Sequence, residues 1–374
     1  MKILQIIYES LGNPYGFGGA GVRAYEIYRR LRDRHDVTLL CMRYPGARDG
    51  EIEGLRHVFV GSDRRGLTRS VLAYTREAAA FVRKRGGEFD VIVENFLPST
   101  PFFSTLLTKT PIVLQVQGIM EHHSLRKFNP LYSLPMYLVE RYYPYLFRRF
   151  MFVSEVTRDK VLSRVRGAPG HSWVVPNGID RGLLGVSPEE GGYVLFFSRL
   201  DIYTKGLDIL VRAFERVAGR YPDLRLVLAG YEFDRFDHLV KGLHPDLRSR
   251  LSYAGFVTGK AKVELLSKSD MVVLPSRHES APISILEAAA AGKPVIVSDI
   301  PELRFVEEQG FGIAFPSGSV GELADAMLGL LGDRARRAKL GASGRRYAGG
   351  FLWNAIALRF EAVLKEAATH KSGS

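Results

Sequence analysis

The sequence predicts an α/β protein made of two doubly wound parallel-sheet domains, and three observations predict it. Short β-branched runs alternate with longer helical patterns, the runs are almost continuously apolar as in strands covered on both faces, and the alternation restarts near the middle of the chain. A length of 374 residues suits two units, each with its own core. In the first half, 2–8, 36–42, 90–93, 112–117 and 150–154 read as strands with helical stretches between most of them. The second set comprises 193–198, 224–229, 251–253, 270–274 and 295–298, with helices near 205–219, 260–268, 282–291 and 319–331. Turn-rich segments, Gly167-Ala168-Pro169-Gly170 and 187–192, flank a hinge near 177. The expected domains are therefore 1–177 and 178–350, followed by 351–374, a helix and tail free to pack on either domain. Ligands of open α/β sheets bind beyond the carboxyl ends of the strands, so two such sheets facing each other predict a central cleft.

Composition narrows the function classes. With 46% hydrophobic and 25% charged residues, no repeat and no low-complexity block, neither a fibrous nor a disordered chain is indicated. No run approaches 18 apolar residues, and the N-terminus reads as a strand rather than a signal peptide, which predicts a cytoplasmic protein. The single cysteine, Cys41, lies in an apolar run and reads as core filler. The net charge of +12 is uneven: residues 1–177 hold 26 Lys/Arg against 16 Asp/Glu, and residues 178–374 hold 26 against 24. The first domain thus faces an anionic partner, and the absence of zinc-finger spacing or an RNP-like aromatic strand argues against nucleic acid.

The densest chemistry lies in 276–291. Glu279 and Glu287, eight positions apart, straddle a predicted helix start: Pro282 suits a first turn, and Gly292 with Pro294 ends the run 283–291. Glu287 then lies about 7–8 Å along the axis from Pro282, at ~1.5 Å per residue, in an Ala-rich stretch where a carboxylate needs a partner. A salt-bridged glutamate in a core helix meets that need as well as a ligand does. The first strand of the second domain ends at Arg199, with Lys205 opening the next helix; together they fit a diphosphate, the fork of Arg and the point charge of Lys neutralising a leaving phosphate. Singly, each reads as solvated surface. After the first strand of the chain, Gly16-Phe17-Gly18-Gly19-Ala20-Gly21 precedes the helical pattern 22–34; backbone N–H groups at such a start cradle phosphate, although tight turns look similar. The chain has no Asp-x-Asp pair to clamp a divalent ion on a sugar diphosphate and no histidine spacing typical of a metal site. Metal-independent chemistry without a cofactor is expected.

Taken jointly, these elements resemble glycosyltransferase family 4 (GT4), retaining enzymes of the GT-B architecture, over essentially the whole chain. The likeness rests on the E-x7-E spacing, on 174–180, on Ser198-Arg199-Leu200 with Lys205-Gly206, on Leu228-Ala229-Gly230, on 253–257 and on 288–295. It implies two Rossmann-like domains about a cleft, the first binding acceptor and the second donor. It implies that Arg199 and Lys205 grip the donor diphosphate and that Glu287 binds the ribose hydroxyls. Glu279 would bind the transferred sugar, assisted by the backbone N–H groups of Ala281, Ile283 and Ser284. Gly18 and Gly19 would approach the phosphate, while Gly230, Gly255, Phe256 and Val257 would line the base pocket. One departure stands out: where the family usually carries a histidine beside the anomeric centre, this chain has Gln117, so either His122 or His123 reaches in or no imidazole takes part.

The function implied is retaining transfer of a sugar from a UDP- or GDP-sugar to a lipid-linked or glycan acceptor. The alternatives are a non-catalytic nucleotide-sugar binding protein and an epimerase or phosphorylase on the same fold. Arg69, Arg76 and Arg83 recur every seven residues opposite Leu67, Val71, Ala78 and Phe81, and Lys127, Arg141, Arg148 and Arg149 are interleaved with aromatics over 126–150. These patterns predict peripheral attachment of the first domain to an anionic membrane on its inner face, with a solvated helix face as the plainer explanation.

Overall fold

A computed structural model describes residues 1–14, 17–63, 66–127, 129–165, 170–231 and 234–369. Gly16 of the Gly-rich loop and Gly167, Ala168 and Pro169 of the junction lie outside the described residues. The chain divides into two compact units: Met1–Asn177 together with the C-terminal helix Trp353–Thr369, and Gly178–Leu352.

The first unit carries eight strands: β1 Lys2–Ile6, β2 Asp36–Met42, β3 Gly50–Ile52, β4 Leu55–Val60, β5 Val91–Asn95, β6 Ile112–Val116, β7 Arg149–Phe152 and β8 His171–Val174. Their order is β3-β4-β2-β1-β5-β6-β7-β8, parallel except for the β3–β4 pair. β1 is central, Ile3 pairing with Val37 on one side and Val91 on the other. Covered on both faces, it tolerates one polar side chain, Gln5, which accepts the Tyr28 hydroxyl at 2.9 Å. The strands not anticipated from hydrophobic runs, β3, β4 and β8, lie toward the sheet margins; β4 alternates buried and exposed, and β8 is only half-buried.

In the helix Leu67–Arg85 the buried residues are Ser70, Tyr74, Ala78 and Val82, and Val71 and Phe81 pack partly buried against the same core. This is the apolar face read from Leu67, Val71, Ala78 and Phe81, of which Leu67 at the helix start is exposed. Tyr74 anchors this face: its ring packs edge-to-face on Phe102 and its hydroxyl reaches the Leu40 carbonyl oxygen at 3.0 Å.

In the helix Gly19–Leu31, Arg23 is fully buried. It donates to the carbonyl oxygens of Val175 (2.7 Å) and Pro176 (2.7 Å) and to Asn177 Oδ1 (3.0 Å), the last residues before the chain leaves the unit. Burial lowers its pKa to about 9. The C-terminal helix packs on the same helix: Phe360 meets the Tyr28 ring edge-to-face at 5.6 Å, and Glu361 takes His35 Nε2 and Arg34 at 2.9 Å each.

The second unit has six parallel strands, β9 Tyr193–Phe197, β10 Arg225–Ala229, β11 Leu251–Tyr253, β12 Met271–Leu274, β13 Val295–Ser298 and β14 Gly312–Phe315, in the order β11-β10-β9-β12-β13-β14. The order reverses between β9 and β12, and such a switch point opens a crevice beyond the carboxyl ends of those strands. The helix Leu207–Ala218 after β9 buries Leu207, Leu210, Phe214 and Val217, a stripe at helical spacing, each large apolar side chain contributing about 1.5–3 kcal/mol.

Candidate functional site

The switch point of the second unit brings together the chemistry read from sequence. β9 delivers Arg199 and β12 delivers the loop carrying Glu279. Glycines let these segments close up. A Cβ at Gly206 (φ 67°) would collide with the Pro275 carbonyl, and one at Gly230 (φ 145°) with the Ser198 carbonyl, so a side chain at either would push the strand tips apart. Asp201, fully buried, organises the loop between: its carboxylate accepts the Thr204 N–H at 3.0 Å and pairs with Arg199 Nη2 at 3.1 Å. Arg277 fixes the same loop, bonding both Asp208 carboxylate oxygens at 2.7 Å and the Tyr203 carbonyl at 2.8 Å.

Lys205 Nζ lies 2.5 Å from Glu279 Oε1, which also accepts the buried Ser276 hydroxyl at 2.8 Å. Arg199, by contrast, is nearly half exposed, its side chain at 46%. The arrangement thus offers a half-exposed guanidinium paired with Asp201 and a largely buried ammonium paired with Glu279, both beyond the strand tips of the switch point.

The helix after Glu279 is Ile283–Ala290, a little shorter than read from sequence. Pro282 (φ −68°, ψ 119°) is extended and caps it rather than sitting in its first turn, Ala291 is the C-cap, and Gly292 (φ 73°) supplies the left-handed residue beyond. The first backbone N–H groups of a helix have no partner within it, and those of Ile283 and Ser284 are at this helix start. Glu287 is buried among Ile285, Leu286 and Ala288–Ala290 and is held by Lys262 of the helix Gly259–Ser267, Nζ to Oε1 2.6 Å. At the other end, Arg345 donates to the carbonyls of Ala290 and Ala291.

The proposed base-pocket residues are also in this unit. Gly230 N–H donates to the Gly255 carbonyl at 2.9 Å, which joins the tips of β10 and β11, and Phe256 presents a half-exposed ring.

In the first unit the candidates are arranged differently from expectation. The helix begins at Gly19, so Gly19 and Gly21 lie in its first turn, and the N–H groups of Gly18 (2.8 Å) and Gly21 (2.6 Å) donate to the carboxylate of Glu9. The loop does bind an anion at a helix N-terminus, but the anion is its own. Gly18 therefore does not offer its N–H to a phosphate here. Gln117, just past β6, donates through Nε2 to Asn95 Oδ1 at 2.8 Å. His122 and His123 open the short helix His122–Lys127, where the His122 ring stacks on Tyr137 at 5.6 Å; the turn before it is fixed by Glu140, which accepts the Met120 and Glu121 N–H groups at 2.6 and 2.7 Å. At the tip of β5, burial pushes the Glu94 carboxyl up to about 7, and the group bonds Tyr143 (2.6 Å) and Ser104.

Sequence reasoning missed Lys262, Glu9 and Asp201. A lysine on an amphipathic helix and a carboxylate three residues past a strand carry no distinguishing pattern; Asp201 at least sits inside the Arg199–Lys205 segment.

Two parallel-sheet units, each with a switch point, define the GT-B glycosyltransferase class. Comparison with known proteins agrees: the family described as Glycosyltransferase Family 4 matches residues 17–183, and Glycosyl transferases group 1 matches residues 185–347. The chain belongs to the family-4 glycosyltransferases. It is 29% identical over 345 residues to the phosphatidyl-myo-inositol mannosyltransferase of Mycolicibacterium smegmatis, covering 87% of this chain and 85% of that protein. The similar enzyme of Mycobacterium leprae is 30% identical over 215 residues, a match spanning about half of each protein (54% and 54%). Among solved structures, the sucrose-phosphate synthase of Thermosynechococcus elongatus superposes with a TM-score of 0.80 at 19% identity over 98% of both chains. Anabaena HepE in complex with UDP and glucose gives 0.77 at 21% identity, covering 98% of this chain and 100% of that one.

Proposed function

We propose that this glycosyltransferase moves a sugar, with retention, from a nucleotide diphosphate sugar to a lipid-linked or glycan acceptor without a metal ion. The observation that carries the reading is the gathering of Arg199, Lys205, Glu279 and Glu287 at one switch point. Arg199 and Lys205 stabilise the diphosphate as charge develops on it; Glu279 orients the sugar hydroxyls, with the helix-start N–H groups of Ile283 and Ser284 and that of Ala281; and Glu287 accepts from the ribose diol. The leaving phosphate takes the acceptor proton, so a neutral Gln117 where a histidine is usual is compatible with turnover. Loss of turnover on the same fold, or epimerisation, has no observation in its favour.

The donor nucleotide is UDP or GDP in this reading. HepE has been solved with UDP-glucose, and a Corynebacterium glutamicum relative, 26% identical over 150 residues (38% of this chain, 39% of that protein), is described as GDP-mannose-dependent. A thermal-shift panel of UDP-, GDP- and ADP-sugars separates them: ligand at ~100 times Kd adds about 2.7 kcal/mol, so the cognate donor raises the transition clearly. No shift from any of them, with folded protein, counts against the donor assignment.

Peripheral membrane attachment is assigned to the helix Pro130–Tyr142 rather than to Leu67–Arg85. Leu131, Leu134, Leu138 and Tyr142 form one exposed stripe at helical spacing, flanked by the exposed Arg126, Arg141 and Arg148. Among the described residues no helix is long and apolar enough to cross a membrane. In liposome flotation, Leu134→Glu with Leu138→Glu is expected to reduce recovery on anionic vesicles at least ~10-fold, each leucine being worth about 1.5–3 kcal/mol of burial. Recovery independent of anionic lipid, or unchanged by the double substitution, removes the attachment from the proposal.

A further inference from the structure

Each carboxylate of the pair is seated by a lysine, and the two lysines come from different places. Lys205, which seats Glu279, belongs to the loop that also carries Arg199. Lys262, which seats Glu287, comes from Gly259–Ser267, the helix that follows directly on the 255–258 loop beyond β11. Building on the reading of Glu287 as the ribose-binding group, we propose that Lys262 is a positioning residue for nucleotide recognition, holding the Glu287 carboxylate for the ribose diol and tying it to the loop assigned to the base.

Three features support this. The pair is not a surface ion pair of the kind worth little: the side chains are 19% and 9% exposed, and at 2.6 Å the contact is a charge-assisted hydrogen bond. Glu287 also has apolar neighbours along its own helix, Ile285, Leu286, Ala288, Ala289 and Ala290 all being buried. A glutamate has three side-chain torsions, and recognition of two adjacent hydroxyls demands a carboxylate held to within about 0.5 Å; the ammonium of Lys262, from a second helix, supplies such a restraint. Finally, a bare buried carboxylate would repel a diphosphate and tend to take up a proton on desolvation, which would spoil it as a double acceptor. The ammonium opposes both effects. The reach of the lysine has a further consequence: displacement of the 255–258 loop by an ill-fitting base moves the helix start and with it the ammonium. Recognition of base and ribose becomes cooperative.

The test compares UDP with 2′-deoxy-UDP and GDP with 2′-deoxy-GDP by calorimetric titration, using whichever nucleotide binds. The parent is expected to prefer the ribonucleotide by roughly 10–100-fold, since a hydrogen bond to a charged group is worth about 1.5–3 kcal/mol. Glu287→Gln is expected to lose most of that preference. Lys262→Met and Lys262→Gln should reduce it to about 3-fold or less, with Lys262→Arg recovering most of it, because only an ionised donor seats the carboxylate. A merely structural lysine would weaken both nucleotides equally and leave the ratio intact. If the Lys262 variants keep the full preference while Glu287→Gln loses it, the positioning role falls and the ribose assignment stands. If Glu287→Gln keeps the preference, or the parent binds neither UDP nor GDP, the ribose assignment falls and takes this role with it.

Discussion

Lys205→Ala is expected to lower kcat by roughly 10²–10³-fold, the range seen when one preorganised donor to a developing negative charge is removed. The reason is local. The ammonium is seated 2.5 Å from Glu279 with only 13% of its side chain exposed, so it acts from a site where little water screens it. The donor KM should change less, since Arg199 and the nucleotide contacts remain. A second effect accompanies the first: without its lysine, the buried Glu279 keeps only Ser276 of these two partners and no longer offers a fixed acceptor to the sugar. Lys205→Arg should restore charge but not geometry, and therefore only part of the rate. The measurement is nucleoside diphosphate release at saturating donor, with circular dichroism to confirm the fold. A kcat within about 3-fold of the parent would sink the assignment of Lys205 to the leaving group.

Arg23→Met should cost roughly 3–5 kcal/mol of the first unit's stability, the largest effect foreseen away from the crevice. Methionine fills much of the volume but leaves the carbonyl oxygens of Val175 and Pro176 and the side-chain oxygen of Asn177 buried without their donor. Relief of the desolvation that depresses the guanidinium pKa offsets part of this, which is why the expected cost is less than three lost bonds would suggest. Arg23→Lys should recover little, because one point charge cannot span three acceptors contributed by successive residues. Both tryptophans, Trp173 and Trp353, belong to the first unit, so guanidinium unfolding followed by tryptophan fluorescence reads that unit selectively. A midpoint equivalent to less than about 1 kcal/mol of destabilisation would show that the buried arginine is not holding the exit segment.

The sequence was most legible where chemistry is local. Arg199 with Lys205, and Glu279 with Glu287, lie within short segments at strand tips, and a central parallel strand is a continuous apolar run that announces itself. What stayed hidden depends on partners distant in sequence. Glu9 acquires meaning only from N–H groups 9 and 12 residues on, Lys262 only from a glutamate 25 residues away, and Arg23 only from carbonyls more than 150 residues away. Marginal strands escaped because half-burial weakens the period: β4 mixes Arg56 and His57 with Val58 and Phe59, and β14 is a four-residue strand whose Gly312 leaves no room for a side chain against the Val295 carbonyl. In Leu67–Arg85 the apolar face is legible from the helical period, whereas the role of Tyr74 depends on Phe102 and the Leu40 carbonyl, both distant in sequence.

The first unit is discontinuous in the chain, and this bears on how the protein is made. While the ribosome translates the 175 residues of 178–352, roughly 9–35 s at ~5–20 residues per second, the nascent N-terminal segment has no Phe360 to lay against Tyr28 and no Glu361 to receive His35. The second unit is contiguous and can complete itself first. The N-terminal half instead waits, part-assembled and strongly basic, as a client for chaperones, and a stop codon anywhere before residue 353 would leave it waiting indefinitely.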